Sequence, residues 1–181
     1  MKNKEFDLIV FGATSFVGQI LVQYLWKRHG LNGEIKWAIA GRDSDKLAVL
    51  KNRLGEQARE LPVVLANASK EDDLQTLCAK TKVVVSTVGP YALYGSSLVK
   101  ICAETGTDYC DLTGEVQWIA RMIEAHEETA KKSGASIERK SVVEGKRVEG
   151  VSGRRVQEKC DVKRQGSAFG AEQEDSREST G

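Results

Sequence analysis

The sequence predicts a doubly wound α/β domain, a parallel sheet with helices on both faces, followed by a polar, disordered tail. Three observations carry this. Short apolar runs alternate five times with stretches whose apolar residues recur at helical spacing, the pattern of parallel strands joined by right-handed crossovers. The first run ends in a glycine turn that leads directly into a helix pattern. Finally, 62 of the first 135 residues are Ala, Val, Ile, Leu, Met, Phe, Trp, Tyr or Cys, against 11 of the last 46. The first part has the apolar residues to build a core, and the second does not.

The elements follow in order. Asp7 to Phe11 (DLIVF) is a continuous apolar run ending at Gly12, as expected of a strand buried on both faces. A helix follows, with Val17, Ile20, Leu21, Tyr24 and Leu25 expected on its inner face, Gln19, Gln23 and Lys27 outside, and Gly30 as the stop. Lys36 to Ala40 reads as the second strand, and Ser44 to Arg59 as one helix carrying Leu47, Leu50 and Leu54. Pro62 to Ala66 is the third strand and Glu71 to Ala79 a short helix. Lys82 to Val88 is a β-branched fourth strand, Ser96 to Thr105 a helix, and Asp108 to Leu112 a weaker fifth strand. Glu115 to Lys132 closes the series, with Val116, Ile119, Ala120 and Ile123 on one face and Glu127–Lys131 and Glu128–Lys132 pairs at i,i+4. From Ser136 onward isolated valines stand among mixed charges. The domain reading is therefore 1–135 and a tail at 136–181.

Composition removes several function classes. The 27 Lys and Arg against 26 Asp and Glu leave a net charge of +1, so no global field draws the chain to nucleic acid or an anionic membrane. The tail's 10 basic residues are interleaved with 9 acidic ones, so it reads as a solvated tail rather than a nucleic-acid arm. The apolar runs are strand-sized, far short of the roughly 20 residues of a membrane helix, and the run behind basic residues 1–5 is too short for a signal-peptide core. A cytoplasmic protein is expected. Cys78, Cys102, Cys110 and Cys160, with His29 and His126, show no metal-ligand spacing, so reduced structural thiols and no metal are the expectation.

In folds of this class, ligands bind beyond the carboxyl ends of the strands near the switch point. Gly12-Ala13-Thr14-Ser15-Phe16-Val17-Gly18 lies there, between the first strand and first helix. Gly12 suits the tight turn, a helix starting at Thr14 or Ser15 presents free N–H groups to a pyrophosphate, and Gly18 lets helix and sheet approach. Gly12, Thr14, Ser15, Phe16, Val17 and Gly18 are thus expected to hold a nucleotide. Ser15 stands where a glycine is frequent, and its hydroxyl can itself donate to phosphate. After the second strand, Arg42 takes the place of the acid that would hold a ribose 2′-hydroxyl. A guanidinium pairs with a 2′-phosphate, so NADP is expected over NAD, with Asp43 or Ser44 capping the next helix. Thr87, Val88, Gly89, Pro90 and Tyr91 end the fourth strand beside the expected nicotinamide end. Asp111-Leu112-Thr113-Gly114-Glu115 forms a similar turn after the fifth strand. Neither acid there is assigned a catalytic role, and no catalytic residue is named.

Taken together, the 12–18 loop after DLIVF, Ala40-Gly41-Arg42, Thr87-Val88-Gly89-Pro90-Tyr91 and Tyr109-Cys110-Asp111-Leu112-Thr113-Gly114-Glu115 resemble the saccharopine dehydrogenase-like oxidoreductases, including the trans-acting enoyl reductases. The likeness covers about residues 5–135. It implies a Rossmann-like NADP-binding domain, with the first loop on pyrophosphate, Arg42 near the 2′-phosphate and the Gly89-Pro90-Tyr91 turn near nicotinamide. It also implies hydride transfer to or from an unsaturated, carbonyl or imine substrate. Family members continue past this point into a sixth strand and a substrate domain. Here Ser136-Ile137-Glu138-Arg139-Lys140 opens a polar tail, which implies a chain truncated or shifted in frame near Ala135, left with its cofactor half.

Other readings fit less well. A short-chain dehydrogenase needs Tyr-x-x-x-Lys, and Tyr24, Tyr91, Tyr94 and Tyr109 are followed at that spacing by Arg28, Gly95, Leu98 and Thr113. A semialdehyde dehydrogenase needs a base-activated Cys, and neither Cys102 nor Cys110 has a neighbouring His. A non-catalytic NADP-binding regulator or an inactive remnant is the alternative. The substrate and the oligomeric state are left open.

Overall fold

A computed structural model describes residues 4–139 of the chain; Cys160 and the expected disordered tail from residue 140 onward lie outside these residues. Six parallel strands form one sheet: β1 Phe6–Phe11, β2 Trp37–Gly41, β3 Val63–Leu65, β4 Thr81–Ser86, β5 Asp108–Asp111 and β6 Ile137–Arg139, in the order β3-β2-β1-β4-β5-β6. The order reverses between β1 and β4, which is where such sheets open a crevice at their carboxyl edge. Helices α1 (Phe16–His29) and α2 (Ser44–Leu54) serve the β1-β2-β3 half; α3 (Glu71–Lys80), α4 (Tyr91–Tyr94), α5 (Ser96–Thr105) and α6 (Val116–Ser133) serve the other.

Two apolar cores result, as right-handed crossovers running in opposite directions from the centre require. Val22 and Leu25 of α1 and Leu47 and Leu50 of α2 pack with Val10, Trp37 and Ile39 on one face. Leu74 and Leu77 of α3, Leu98 and Ile101 of α5 and Trp118 of α6 pack with Ile9, Phe11, Val84 and Tyr109 on the other. The central strand β1 feeds both cores, which is why DLIVF is apolar without alternation.

Four details depart from the sequence expectation. The face of α1 is rotated: Gly18, Val22 and Leu25 are buried, whereas Val17, Ile20 and Tyr24 are 42%, 53% and 56% exposed. Gly18 sets this phase, because it is the position that must meet the β1 loop. The expected long second helix stops at Leu54, the backbone leaves helical space at Gly55 (φ 112°), and a separate 3-10 turn spans Glu56–Glu60. In α6, Trp118 and Ala130 are buried while Val116 and Ile123 are exposed; Lys131 bonds both Glu127 and Glu128, so the expected Glu128–Lys132 pair is replaced by an i,i+3 one. Lastly, Ile137–Arg139 is a strand paired with β5, where the sequence reading opened the tail. Tyr109, Cys110 and Asp111 supply a ready parallel edge, and pairing overrides the weak local pattern of Ser-Ile-Glu-Arg.

Cys78 and Cys102 are buried free thiols with sulfur atoms 3.6 Å apart, and Cys110 is also free. Among the described residues, no helix is long and apolar enough to cross a membrane.

Candidate functional site

The β1–α1 loop is built from its glycines outward. Gly12 takes φ +85°, and a Cβ there would stand 2.8 Å from both Thr87 Oγ1 and Val88 Cγ2. A Cβ on Gly18 would fall on the Gly12 carbonyl oxygen, with Ser15 Oγ and Thr87 Oγ1 each 2.9 Å away. The loop therefore lies directly on the end of β4, and side chains at these two positions would prise it off. Hydrogen bonds complete the contact. The Gly12 and Ala13 N–H groups donate to the Ala40 carbonyl at 2.9 and 3.1 Å, and Ser15 N–H donates to Gly12 O at 2.9 Å. The Thr87 N–H donates to Phe11 O at 2.9 Å, and its hydroxyl to Gly12 O at 2.9 Å. Residues 12–18 and Thr87 of the sequence-predicted site thus meet at the crevice between β1 and β4.

Ser15 has a different part from the one its hydroxyl first suggested. It is the N-cap of α1: its Oγ accepts from Gly18 N–H at 2.9 Å and donates to Thr87 Oγ1 at 3.0 Å. This use of the side chain stabilises the helix start by about 1 kcal/mol in typical cases. The N–H groups of Thr14, Phe16 and Val17 find no acceptor among the described residues. No acidic side chain occupies the first turn of α1, while Lys27, Arg28 and His29 occupy its last. The positive end of the helix dipole is therefore uncompensated, a setting that favours an anion. Phe16 is 81% exposed at the mouth of this loop.

At the end of β2, Arg42 is exposed and has no hydrogen-bond or ion-pair partner among the described residues. Its neighbour Asp43 is committed elsewhere, accepting from Asp45 and Lys46 N–H at 3.1 and 3.0 Å as the N-cap of α2. The Lys46 backbone bond holds that carboxyl below its usual range. A guanidinium is thus free at this edge, and the adjacent carboxylate is spent on its helix.

Beyond β4, Gly89 and Pro90 are exposed and joined by a cis peptide, and Tyr91 begins the four-residue α4. The Tyr91 hydroxyl turns inward, donating to Ser86 O at 3.1 Å and accepting from Leu112 N–H at 3.4 Å. Burial raises the Tyr91 pKa above its ordinary value, against the lowering effect of the Leu112 bond. The phenol stays protonated at neutral pH and is engaged, so the turn offers a ligand its backbone rather than an acid. The Tyr91 ring lies 5.8 Å from that of Trp118, whose indole N–H donates to Ser96 Oγ at 2.9 Å.

The second acidic turn was visible in sequence, but its job was not. Asp111 is buried and accepts from Tyr109 OH at 2.7 Å and Thr113 N–H at 3.0 Å. Burial first, and then this carboxylate, push the Tyr109 phenol far up. Glu115 reaches across to α4, its two oxygens accepting from Tyr91 and Ala92 N–H at 2.7 and 2.9 Å. Thr113 Oγ1 accepts from Glu115 N–H at 3.1 Å. Partners 24 residues apart leave no local signal, so spacing could not have found this link.

Residues 8–142 match the family model described as the saccharopine dehydrogenase NADP binding domain. The chain belongs to that family. It is similar to the trans-acting enoyl reductase of Mycobacterium leprae, at 39% identity over 135 residues covering 75% of this chain and 32% of that protein. The trans-acting enoyl reductase of Mycobacterium tuberculosis is 40% identical over 135 residues, with the same coverages. The chain spans about a third of the length of the curated relatives it matches. Among solved structures it resembles apo saccharopine dehydrogenase (L-Glu forming) from Saccharomyces cerevisiae, with TM-score 0.59, 19% identity, and coverage of 74% of this chain and 26% of that one. It also resembles Citrobacter triphenylmethane reductase complexed with NADP(H), with TM-score 0.55, 16% identity, and coverage of 74% and 48%. At such identities these two share its fold.

Proposed function

We propose that the chain binds NADP(H) along the carboxyl edge of its sheet and forms the cofactor half of an oxidoreductase acting on an unsaturated, carbonyl or imine substrate. The observation that supports this most is the β1–α1 loop, whose N–H groups at Thr14, Phe16 and Val17 have no acceptor among the described residues and whose two glycines have Cβ positions filled by neighbouring atoms. In this reading the N–H groups of Thr14, Phe16 and Val17 receive the pyrophosphate, Gly12 and Gly18 let the loop lie against β4 so that it can approach, and Ser15 holds the helix start that presents these donors. Arg42 takes the 2′-phosphate, which makes NADP the preferred cofactor. Thr87, Val88, Gly89, Pro90 and Tyr91 line the nicotinamide end. The bound cofactor supplies or accepts the hydride. The chain's own work is to fix the two ends of the cofactor and keep water from the face it covers.

The names of the mycobacterial relatives direct the choice of test substrate to an α,β-unsaturated acyl compound. Calorimetric titration comes first. NADPH is expected to bind more tightly than NADH, and Arg42→Ala to weaken NADPH at least about tenfold, the scale of one charge-assisted contact, while leaving NADH unchanged. Equal affinities, or a preference that survives in Arg42→Ala, would overturn the assignment. NADPH consumption with the unsaturated acyl compound then decides between catalysis and the alternative of a nucleotide-binding regulator, which binds without turnover.

A further inference from the structure

We infer that Glu115 is a positioning residue for the nicotinamide end of the site, acting through the backbone of the turn after β4. This rests on the cofactor reading above. The two strands concerned, β4 and β5, are neighbours paired from Val83↔Asp108 to Ser86↔Asp111, so the loops leaving them run side by side beyond the carboxyl edge. The first carries Gly89 and Pro90, both exposed at this edge. A Cβ added at Gly89 would meet nothing closer than the Tyr91 ring at 3.7 Å.

Within the turn the Pro90 carbonyl accepts from Leu93 and Tyr94 N–H at 3.2 and 3.1 Å, and the Tyr91 carbonyl from Gly95 N–H at 2.7 Å. The first N–H groups of α4 get no cap from its own N-cap residue, Pro90, and α4 is only four residues long. The neighbouring loop satisfies them. The Glu115 carboxylate takes both Tyr91 and Ala92 N–H groups, while the Tyr91 hydroxyl bridges Ser86 O and Leu112 N–H on the other side of the same residue. Glu115 is itself held by its N–H on Thr113 Oγ1, and Thr113 by its N–H on the buried Asp111. The chain of bonds thus runs from a buried carboxylate in β5 to the open turn after β4.

Two probes separate positioning from folding. Adenosine 2′,5′-bisphosphate carries the adenine-side phosphates and lacks nicotinamide, and NADPH carries both ends. Calorimetry on the full chain with Glu115→Gln, which keeps one acceptor oxygen, and Glu115→Ala, which keeps neither, is expected to show NADPH weakened about fivefold and more than fivefold respectively, from lost preorganisation. The bisphosphate should bind both variants as it binds the unaltered chain, which also reports that they are folded. The change in nicotinamide fluorescence on binding should diminish in the same order. Equal weakening of both probes would show a merely structural role and overturn the inference, as would NADPH affinity unchanged in Glu115→Ala. If the unaltered chain binds the bisphosphate and NADPH equally poorly, it is the cofactor reading that falls, and the positioning role with it.

Discussion

At Gly18 a methyl group would have no room, since its place is taken by the Gly12 carbonyl and the Ser15 and Thr87 hydroxyls. Gly18→Ala is expected to lower stability by about 1–3 kcal/mol, the usual cost of overpacking, and to abolish NADPH binding; urea unfolding and titration check the two effects. An unchanged unfolding midpoint would mean that the helix shifts freely on the sheet. The glycines of this loop were legible in the sequence because their constraint is local and short-range. The capping part of Ser15 was not legible, since a hydroxyl there serves a helix or a phosphate equally well until Gly18 N–H is placed. Asp7 gives a pH-dependent test. Its carboxylate accepts from Lys82 Nζ at 2.7 Å and Lys36 N–H at 2.9 Å, and these bonds, the Lys82 one first, hold its pKa below the usual 3.8. A depressed folded-state value means that the stabilisation is present in full above the unfolded value and is lost as pH falls through the folded one. Asp7→Asn should therefore unfold at lower urea than the unaltered chain near neutral pH, with the gap closing in acid. Parallel curves would contradict the pairing.

Element boundaries followed the sequence where periodicity and caps agreed, as in β1, α3 and α5, and departed from it where a distant contact decided. The phase of α1 is the clearest case: Val17, Ile20 and Tyr24 fit an apolar stripe as well as Val22 and Leu25 do, and only the approach of Gly18 to β1 selects between the two. In α6 the large Trp118 ring, packed beside Tyr91, does the same against Val116 and Ile123. Residues 137–139 show the opposite error, an element missed because three polar-flanked residues carry too little pattern to announce a strand. Ile137 pairs with Tyr109 and packs against the β5–α6 side of the core. Ile137→Ala is expected to cost about 1–2 kcal/mol, below the range for a fully buried isoleucine because the site is partly exposed. Measured by urea unfolding, no loss would return this segment to the tail that composition suggested.

For the whole molecule, the sheet order places the β1–α1 loop, the exposed guanidinium of Arg42 and the Gly89-Pro90 turn beyond the carboxyl ends of β1, β2 and β4. The strand that carries each loop was readable from the alternation of apolar runs. Their lateral order was implied by the right-handed crossover rule. The link between the β4 and β5 loops was not readable, because it joins residues far apart in the chain. Because a bound nucleotide stabilises only the folded form, saturating NADPH should raise the unfolding free energy, by about 2.7 kcal/mol at a hundredfold excess over Kd. The most direct test of the account is a backbone-amide NMR titration of the 181-residue chain with NADPH. The expected result is that the largest shifts fall on the amides of Thr14, Phe16 and Val17, with further shifts at Arg42 and at the turn from Gly89 to Ala92. Shifts confined to the open groove between α2 and β3, lined by Ser44, Lys51, Asn52, Arg59 and Leu65, or none at the start of α1 when NADPH is saturating, would contradict it.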